Sequence, residues 1–498
     1  MEKIFLRKKI YTEKIVYALI AFLFLIFMFC TSGNISFWTD ELSQVSFIAV
    51  PFKEFFRSAV IQGHESMPLW SFFVFFWYKI MPYGEKWLFL LPEIATSLGI
   101  YIVALTGKRI GGKWTGIFAL IFCCTSSTLI LYAGEEFREY GFIFLFSAIT
   151  IYFWTKRIEY IGKEKNKDIV AYAIAMVLLF FCHPITLMIC GSLGIFDLIL
   201  FIRKKIQLKC VFSYVIFLII SGIYFFRIFT ANYKYFTEEA SSWIDAPKYA
   251  DIFNLMKYLT GQQNIVFIAA VFGGGFVLSV CLYNLRMKRK TAKEIIAVLG
   301  LTWIAGFSIS FAFIYSAFIK PDGSIFILRY FICLIPALMI ICGYSVTVVC
   351  RYAVADAEKN KRQILNCTFA FFFTIFLGLG MLPVTTNQVS REPFKEASAW
   401  LSSQNDIYDE NVAVLFTCYQ SSIDGCRKYY FYRQGKNKKI NIISQYSDKK
   451  IKKLKEYDKL YLVKIHNPVY AKTKSQLKKN FVLISENKKD HIMCYEKK

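Results

Sequence analysis

The 498-residue chain is 56% hydrophobic, with 51 Phe and 31 Tyr, and carries a formal net charge of +25. Together with a positive mean hydropathy, this is far more apolar surface than the core of a soluble protein of this length requires, so the composition excludes an ordinary soluble domain and implies a membrane protein. The excess charge raises nucleic-acid binding, but the basic residues cluster between apolar runs in alternate loops, as the positive-inside rule expects, and no nucleic-acid partner follows from them.

In chain order, apolar runs at 15–33, 87–106, 114–132, 141–155, 168–183, 185–202, 210–229, 263–285, 294–318, 326–350 and 363–383 approach the ~20 residues needed to cross ~30 Å of hydrocarbon. They predict about 11 transmembrane helices, the shorter ones tilted or re-divided. Basic clusters fall at Lys3/Arg7/Lys8/Lys9, Lys108/Arg109/Lys113, Lys156/Arg157/Lys163, Arg203/Lys204/Lys205, Arg286/Lys288/Arg289/Lys290 and Arg351/Lys359/Lys361/Arg362. With the N-terminus in the cytosol every one of them is cytosolic, and 34–86, 133–140, 230–262, 319–325 and everything after 384 lie outside. The first run reads as a retained signal anchor, because Cys30-Thr31-Ser32-Gly33-Asn34 offers no clear small-x-small cleavage site.

The loop 34–86 is long and apolar, interrupted by prolines at 51, 68 and 82, and fits amphipathic helices at the membrane interface. Phe272-Gly273-Gly274-Gly275-Phe276 lacks the Lys-Ser/Thr of a phosphate loop and suits helix packing or a kink. After Pro383 the sequence turns polar and basic. Helical spacing at Pro393–Gln404, strands at Asn411–Thr417, Lys459–Ile465 and Phe481–Ser485, and a charged helix between Ser447 and Tyr457 predict a small α/β domain. The expected architecture is an α-helical polytopic protein of the cell membrane, with a transmembrane domain at 1–383 and an exterior α/β domain at 384–498. The 14 cysteines are mostly scattered singly in apolar segments, while Cys418 and Cys426 share the exterior tail, where a disulfide is allowed and not required.

Ionisable residues recur at the exterior ends of the predicted spans. Trp38-Thr39-Asp40-Glu41 follows the first, and its aromatic setting makes a carboxylate a usable base, against the plainer reading of a solvated acidic pair. Gly63-His64-Glu65-Ser66-Met67-Pro68-Leu69-Trp70 pairs a His and a Glu suited to a metal or a sugar hydroxyl. The short turn Tyr132-Ala133-Gly134-Glu135-Glu136-Phe137-Arg138-Glu139-Tyr140 concentrates acids with an arginine whose planar fork can grip phosphate oxygens, unless the charges merely pair and cap helices. His183-Pro184 ends one span outward and Arg329-Tyr330 opens another from outside.

The order Trp38-x-Asp40-Glu41, His64 with Pro68-Leu69-Trp70, Glu136-x-Arg138-x-Tyr140, His183, and Arg329-Tyr330 with Pro336 resembles membrane glycosyltransferases of family 39 and their bacterial relatives in the GT-C superfamily. That group includes protein O-mannosyltransferases and the aminoarabinose transferases of lipid A. The likeness covers most of 1–383, and Lys395–Leu401 with Tyr429-Tyr430 is similar to the start of the exterior domain in many members. Departures are Glu135 for the Gln of the turn, Phe137 for its Ala, Met67 for the first proline of a doublet, and no Arg before Leu90-Leu91-Pro92.

The resemblance implies inverting transfer of a sugar from a polyprenyl-phosphate donor to a hydroxyl of a lipid, glycan or protein acceptor on the outer face. It implies Asp40 as general base, Glu41 as the residue orienting acceptor or sugar, and Arg138 and Arg329 compensating the phosphate. His64, Glu65, Glu136, Tyr140, His183 and Tyr330 are expected to bind substrate, and a divalent metal ion near His64 or Glu65 is left open. Two other classes compete. A transporter or flippase of a lipid-linked saccharide also suits many spans, although it favours mid-bilayer sites between repeats, and here the ionisable groups gather at a rim with no repeat visible. An inactive scaffold could hold polymer through Lys449/Lys450/Lys452/Lys453/Lys455, which simple solubility of an exported domain also explains.

Overall fold

The computed structural model describes residues 2–32, 35–62, 67–233, 244–261, 292–353, 364, 368, 391–432, 440–489 and 491–498. The predicted span at 263–285, with its Gly273–Gly275 run, and all of 363–383 except 364 and 368 lie outside them. The helices of the first half are α1 (Glu2–Thr31), α2 (Thr39–Ile48), α3 (Phe52–Phe56), α4 (Pro68–Ile80), α5 (Glu85–Gly111), α6 (Lys113–Cys124), α7 (Tyr140–Glu159), α8 (Asn166–Cys182), α9 (Leu187–Ile202), α10 (Leu208–Ala231) and α11 (Tyr249–Thr260). Longer helices follow at Ala292–Ile314 and Ile335–Ala353. Among the described residues, seven helical stretches are long and apolar enough to cross a membrane. The chain is a multi-pass membrane protein.

Two compact units divide the chain. One comprises 1–31, 59–70 and 92–387; the other comprises 32–58, 71–91 and 388–498, so segments of the first loop group with the tail. In the first unit, α1 and α10 present Phe22, Leu23, Ile26 and Ile219, Ile223, Phe226 outward, an apolar exterior that only lipid would satisfy. The predicted span 114–132 is broken. Helix α6 stops at Cys124, because the Ser127 amide and hydroxyl donate to the Gly261 carbonyl (3.2 and 2.7 Å) and the Thr128 hydroxyl donates to that of Tyr258, pulling the backbone out of helical pairing. Helix α11, read in the sequence as exterior loop, supplies both carbonyls.

One end of this unit collects the basic residues in ion pairs between helices. Lys108 pairs with Glu13 at 2.5 Å, Arg109 with Glu159, and Lys156 with Asp168 at 2.6 Å. Arg157, in the last turn of α7, is fully buried and pairs with Asp197 of α9, whose carboxylate also accepts from Trp154 Nε1 (3.0 Å) and the Tyr214 hydroxyl (2.6 Å). Satisfying a buried carboxylate from three sides is the condition on which such a charge is tolerated in a low-dielectric bundle.

The second unit contains a five-stranded sheet of order β2-β1-β3-β5-β4, built from β1 (Val412–Phe416), β2 (Asn441–Ser444), β3 (Lys459–Val463), β4 (Phe481–Asn487) and β5 (Ile492–Lys497). Strands β2, β1 and β3 are parallel and β5 and β4 antiparallel. Val412–Phe416 is buried throughout, as a central parallel strand with both faces covered must be. Helices Gln420–Cys426, Asp448–Lys452 and Ala471–Asn480 connect the strands. Helix α2 packs on Gln420–Cys426, where a Cβ at Gly425 would meet the Leu42 carbonyl oxygen at 1.8 Å, so only glycine permits the approach. Cys418 and Cys426 are free thiols, and the Cys426 sulfur lies 3.3 Å from the Ser398 hydroxyl.

Candidate active site

In the first unit a polar group sits at the end opposite the basic residues. Helix α7 spans 20 residues, roughly 30 Å, with Arg138 just before its first residue and Arg157 in its last turn. The turn that carries Arg138 is fixed from several sides. Thr96 Oγ1 donates to the Ala133 carbonyl at 2.9 Å, and a Cβ at Gly141 would stand 2.6 Å from that carbonyl, which holds turn and helix α5 close. Trp70, the last residue of Pro68-Leu69-Trp70, packs edge-on against Phe137 and Phe142, with centroids 5.9 and 5.2 Å apart.

Arg138 donates through Nε and Nη2 to the two carboxylate oxygens of Glu139, at 3.1 and 3.3 Å, and its guanidinium carbon lies 5.6 Å from the Tyr140 ring centroid. Burial pushes the Glu139 carboxyl up, but the charges of Arg138 and His183 and the Arg138 hydrogen bond outweigh it and hold the group below the ordinary carboxylate value. The paired fork fixes the plane of the guanidinium. His183 ends α8 in extended conformation, and its Nδ1 accepts from the Ile185 amide at 3.1 Å, which caps the turn Pro184–Thr186. Its ring lies 5.1 Å from that of Tyr330, and Arg329, Glu136 and Arg138 all reach Tyr140 electrostatically. Tyr258 of α11 completes the group, 5.1 Å from Tyr132.

In the second unit, Asp40 and Glu41 open α2 with different surroundings. Glu41 is fully buried; it accepts from the Trp38 amide at 3.1 Å and from Arg391 Nη1 at 3.0 and 3.1 Å. Its carboxylate is therefore committed to a helix cap and an ion pair. Asp40 is half-buried. The neighbouring Thr39 donates through both amide and hydroxyl to Glu392 Oε2, at 2.7 and 2.6 Å, while Glu392 Oε1 meets His466 Nδ1 at 2.7 Å. The Lys395 amide donates to Ser36 Oγ at 3.1 Å, and the Phe37 amide to the Tyr430 hydroxyl at 3.0 Å. Residues 391–395, 430 and 466 thus build the Asp40 turn.

No family model and no curated protein sequence matches the chain. Solved structures do. ArnT from Cupriavidus metallidurans in the apo state superposes with a TM-score of 0.58 at 12% identity, covering 97% of each chain; the same protein bound to undecaprenyl phosphate gives 0.57 at 11%, again over 97% of each. An Archaeoglobus fulgidus oligosaccharyltransferase complexed with zinc and sulfate gives 0.50 at 10%, over 90% of this chain and 67% of that one. The chain has the GT-C fold.

On this GT-C scaffold the residues singled out from sequence fall into place unevenly. Glu136, Arg138, Tyr140, His183, Arg329 and Tyr330 share one polar group of the first unit, and Asp40 and Glu41 lie together in the second. His64 and Glu65, and with them the question of a metal ion, lie outside the described residues; among those described, no cluster of three His, Cys, Asp or Glu stands close enough to hold a metal. Sequence reasoning missed Glu139 as the partner of Arg138, Tyr258, and the trio Arg391, Glu392 and His466. Glu139 was within reach, since the charge count of its turn demanded a counter-ion. Nothing local marks His466.

Proposed function

We propose that this protein is an inverting glycosyltransferase that moves a sugar from a polyprenyl-phosphate donor to an acceptor hydroxyl at the outer membrane face. The observation that carries the reading is the grouping of Arg138, Glu139 and His183 with Tyr132, Tyr140, Tyr258 and Tyr330, within the electrostatic field of Arg329, at the end of a GT-C bundle remote from its basic helix ends. Basic ends face the cytosol by the positive-inside rule, so the arginine group faces outward, with the N-terminus cytosolic and the tail outside. Nucleotide sugars are made in the cytosol; a transferase working outside needs a lipid-carried donor. The undecaprenyl phosphate bound by the ArnT structure supports such a donor here.

In the reaction that the family resemblance implies, the acceptor oxygen attacks the anomeric carbon as its proton passes to a general base, the role the resemblance gives Asp40. The bond from that carbon to the phosphate oxygen breaks opposite the attack, and the electron pair leaves on the lipid phosphate. That leaving group is already anionic and needs compensating charge more than a proton, which Arg138 and Arg329 supply. Glu41, held by Arg391, positions Asp40.

The test incubates the purified full-length protein with a panel of polyprenyl-phosphate sugars and measures free lipid phosphate. Arg138→Lys keeps a cation for Glu139 and loses the planar fork, so donor KM should rise roughly tenfold with an unchanged melting temperature. Absence of lipid phosphate release from every donor, by protein that is folded and membrane-inserted, would overturn the proposal.

A further inference from the structure

Parallel strands β2, β1 and β3 end side by side, and β1 lies between the strands that follow it on either side. In an open α/β sheet this is the topological switch point, where the connections leaving the carboxyl ends diverge and open a crevice suited to a ligand. The residues just past these three ends are aromatic. Tyr419 follows β1, Tyr446 follows β2, and His466 and Tyr470 follow β3. Tyr419 and Tyr446 stack at 4.9 Å and 23°, Tyr446 meets Tyr470 at 5.1 Å, and Tyr419 meets His466 at 5.4 Å.

This ledge is open: the tyrosines are 48%, 36% and 39% exposed. It is also held in place. Gln445, nearly fully buried, donates to the carbonyls of Thr417 and Pro468 at 3.3 and 3.1 Å and accepts from the Tyr470 amide at 3.1 Å, tying all three connections together. His466 takes a left-handed backbone, φ 73°, which a non-glycine residue adopts at a cost of about 1–3 kcal/mol and which clusters at ligand sites. Its ring is anchored on Glu392, which also binds Thr39, and it stands within the electrostatic field of Asp40. The ledge leads to the Asp40 turn.

We infer that Tyr419, Tyr446, Tyr470 and His466 form a saccharide-binding subsite that delivers an acceptor hydroxyl to Asp40, so that the acceptor is a glycan or a glycosylated molecule. The inference rests on the transferase reading above. Flat apolar rings with polar tips match the alternating C–H faces and hydroxyl rims of sugars, which neither a hydrocarbon chain nor a bare phosphate does. A bilayer surface, the other taker of exposed tyrosines, has no use for a hydrogen-bonded path to a carboxylate.

Saturation-transfer NMR on the full-length protein in detergent, with a glucose tetrasaccharide and an N-acetylglucosamine tetrasaccharide as probes and no donor present, tests it. Sugar-ring signals should appear with at least one probe. Tyr419→Ala and Tyr470→Ala, both at exposed positions, should each weaken binding roughly five- to tenfold, the worth of one aromatic contact. Tyr446→Phe, which keeps the stacked ring, should retain binding. No signal with either probe, or signals unmoved by the alanine variants, overturns the subsite. Because binding is read without donor, the two proposals separate: alanine-sensitive binding with no lipid phosphate release from any donor removes the transferase reading alone, whereas release with alanine-insensitive binding removes the subsite alone.

Discussion

Adjacent carboxylates in one helix turn can have opposite duties, and Asp40 and Glu41 illustrate why sequence adjacency does not assign them. Glu41 is buried against Arg391 and the Trp38 amide, whereas Asp40 stays half-buried beside the Glu392–His466 pair. Neutralising each should therefore fail differently. Asp40→Asn is expected to keep the melting temperature while lowering transfer on the order of 10²–10⁴-fold, the usual weight of general-base catalysis. Glu41→Gln leaves the largely buried Arg391 without its counter-charge and should destabilise the second unit by about 3 kcal/mol. Thermal unfolding followed by tryptophan fluorescence, alongside lipid phosphate release, distinguishes them; an Asp40→Asn protein with wild-type turnover would remove it as the base.

At the scale of elements, what was legible in the sequence followed from burial pattern, and what was not followed from long-range pairing. The buried strand at 411–417 was readable as a short continuous apolar run and the helix at 393–404 from its amphipathic spacing, and they appear as Val412–Phe416 and Phe394–Ser403. Helix α11 and the short strand β2 were not, since each depends on contacts with residues remote in sequence. The same holds for the Arg157–Asp197 link between α7 and α9: the sequence marked Arg157 only as part of a cytosolic basic cluster, yet it is fully buried and Asp197 is its counter-ion. Asp197→Ala should strand that cation and cost about 3–5 kcal/mol, with donor KM unchanged because the site group lies at the far end of α7. Paired thermal unfolding and donor-titration experiments check both halves; a donor KM shift comparable to the loss of stability would mean the two ends are coupled.

For the whole molecule, the alternation of basic loops predicted a shared depth for Arg138, His183 and Arg329, and they do share one polar group, because a bundle of antiparallel helices turns parity in sequence into position along its axis. Parity says nothing of which segments fold together, so the joining of the Asp40 turn with residues 391–395 and His466 was invisible until the tail was placed. That joining gives the second unit a pH window. The hydrogen bond to Glu392, against the opposing effect of burial and with the charges of Glu392 and Asp40 adding, raises His466 above its ordinary 6.5. Burial would raise Glu392, but hydrogen bonds from His466 and Thr39 carry it below its ordinary 4.5. A raised histidine stabilises fully below 6.5 and loses that contribution as pH climbs through the higher folded value; a lowered carboxylate stabilises fully above 4.5 and loses it as pH falls through the lower one. The contribution of the pair is thus greatest between pH 4.5 and 6.5. Melting temperatures of wild type and His466→Gln, measured from pH 4 to 9, should differ most inside this interval and converge above it; a gap that stayed constant with pH would mean that His466 acts by packing and not by charge.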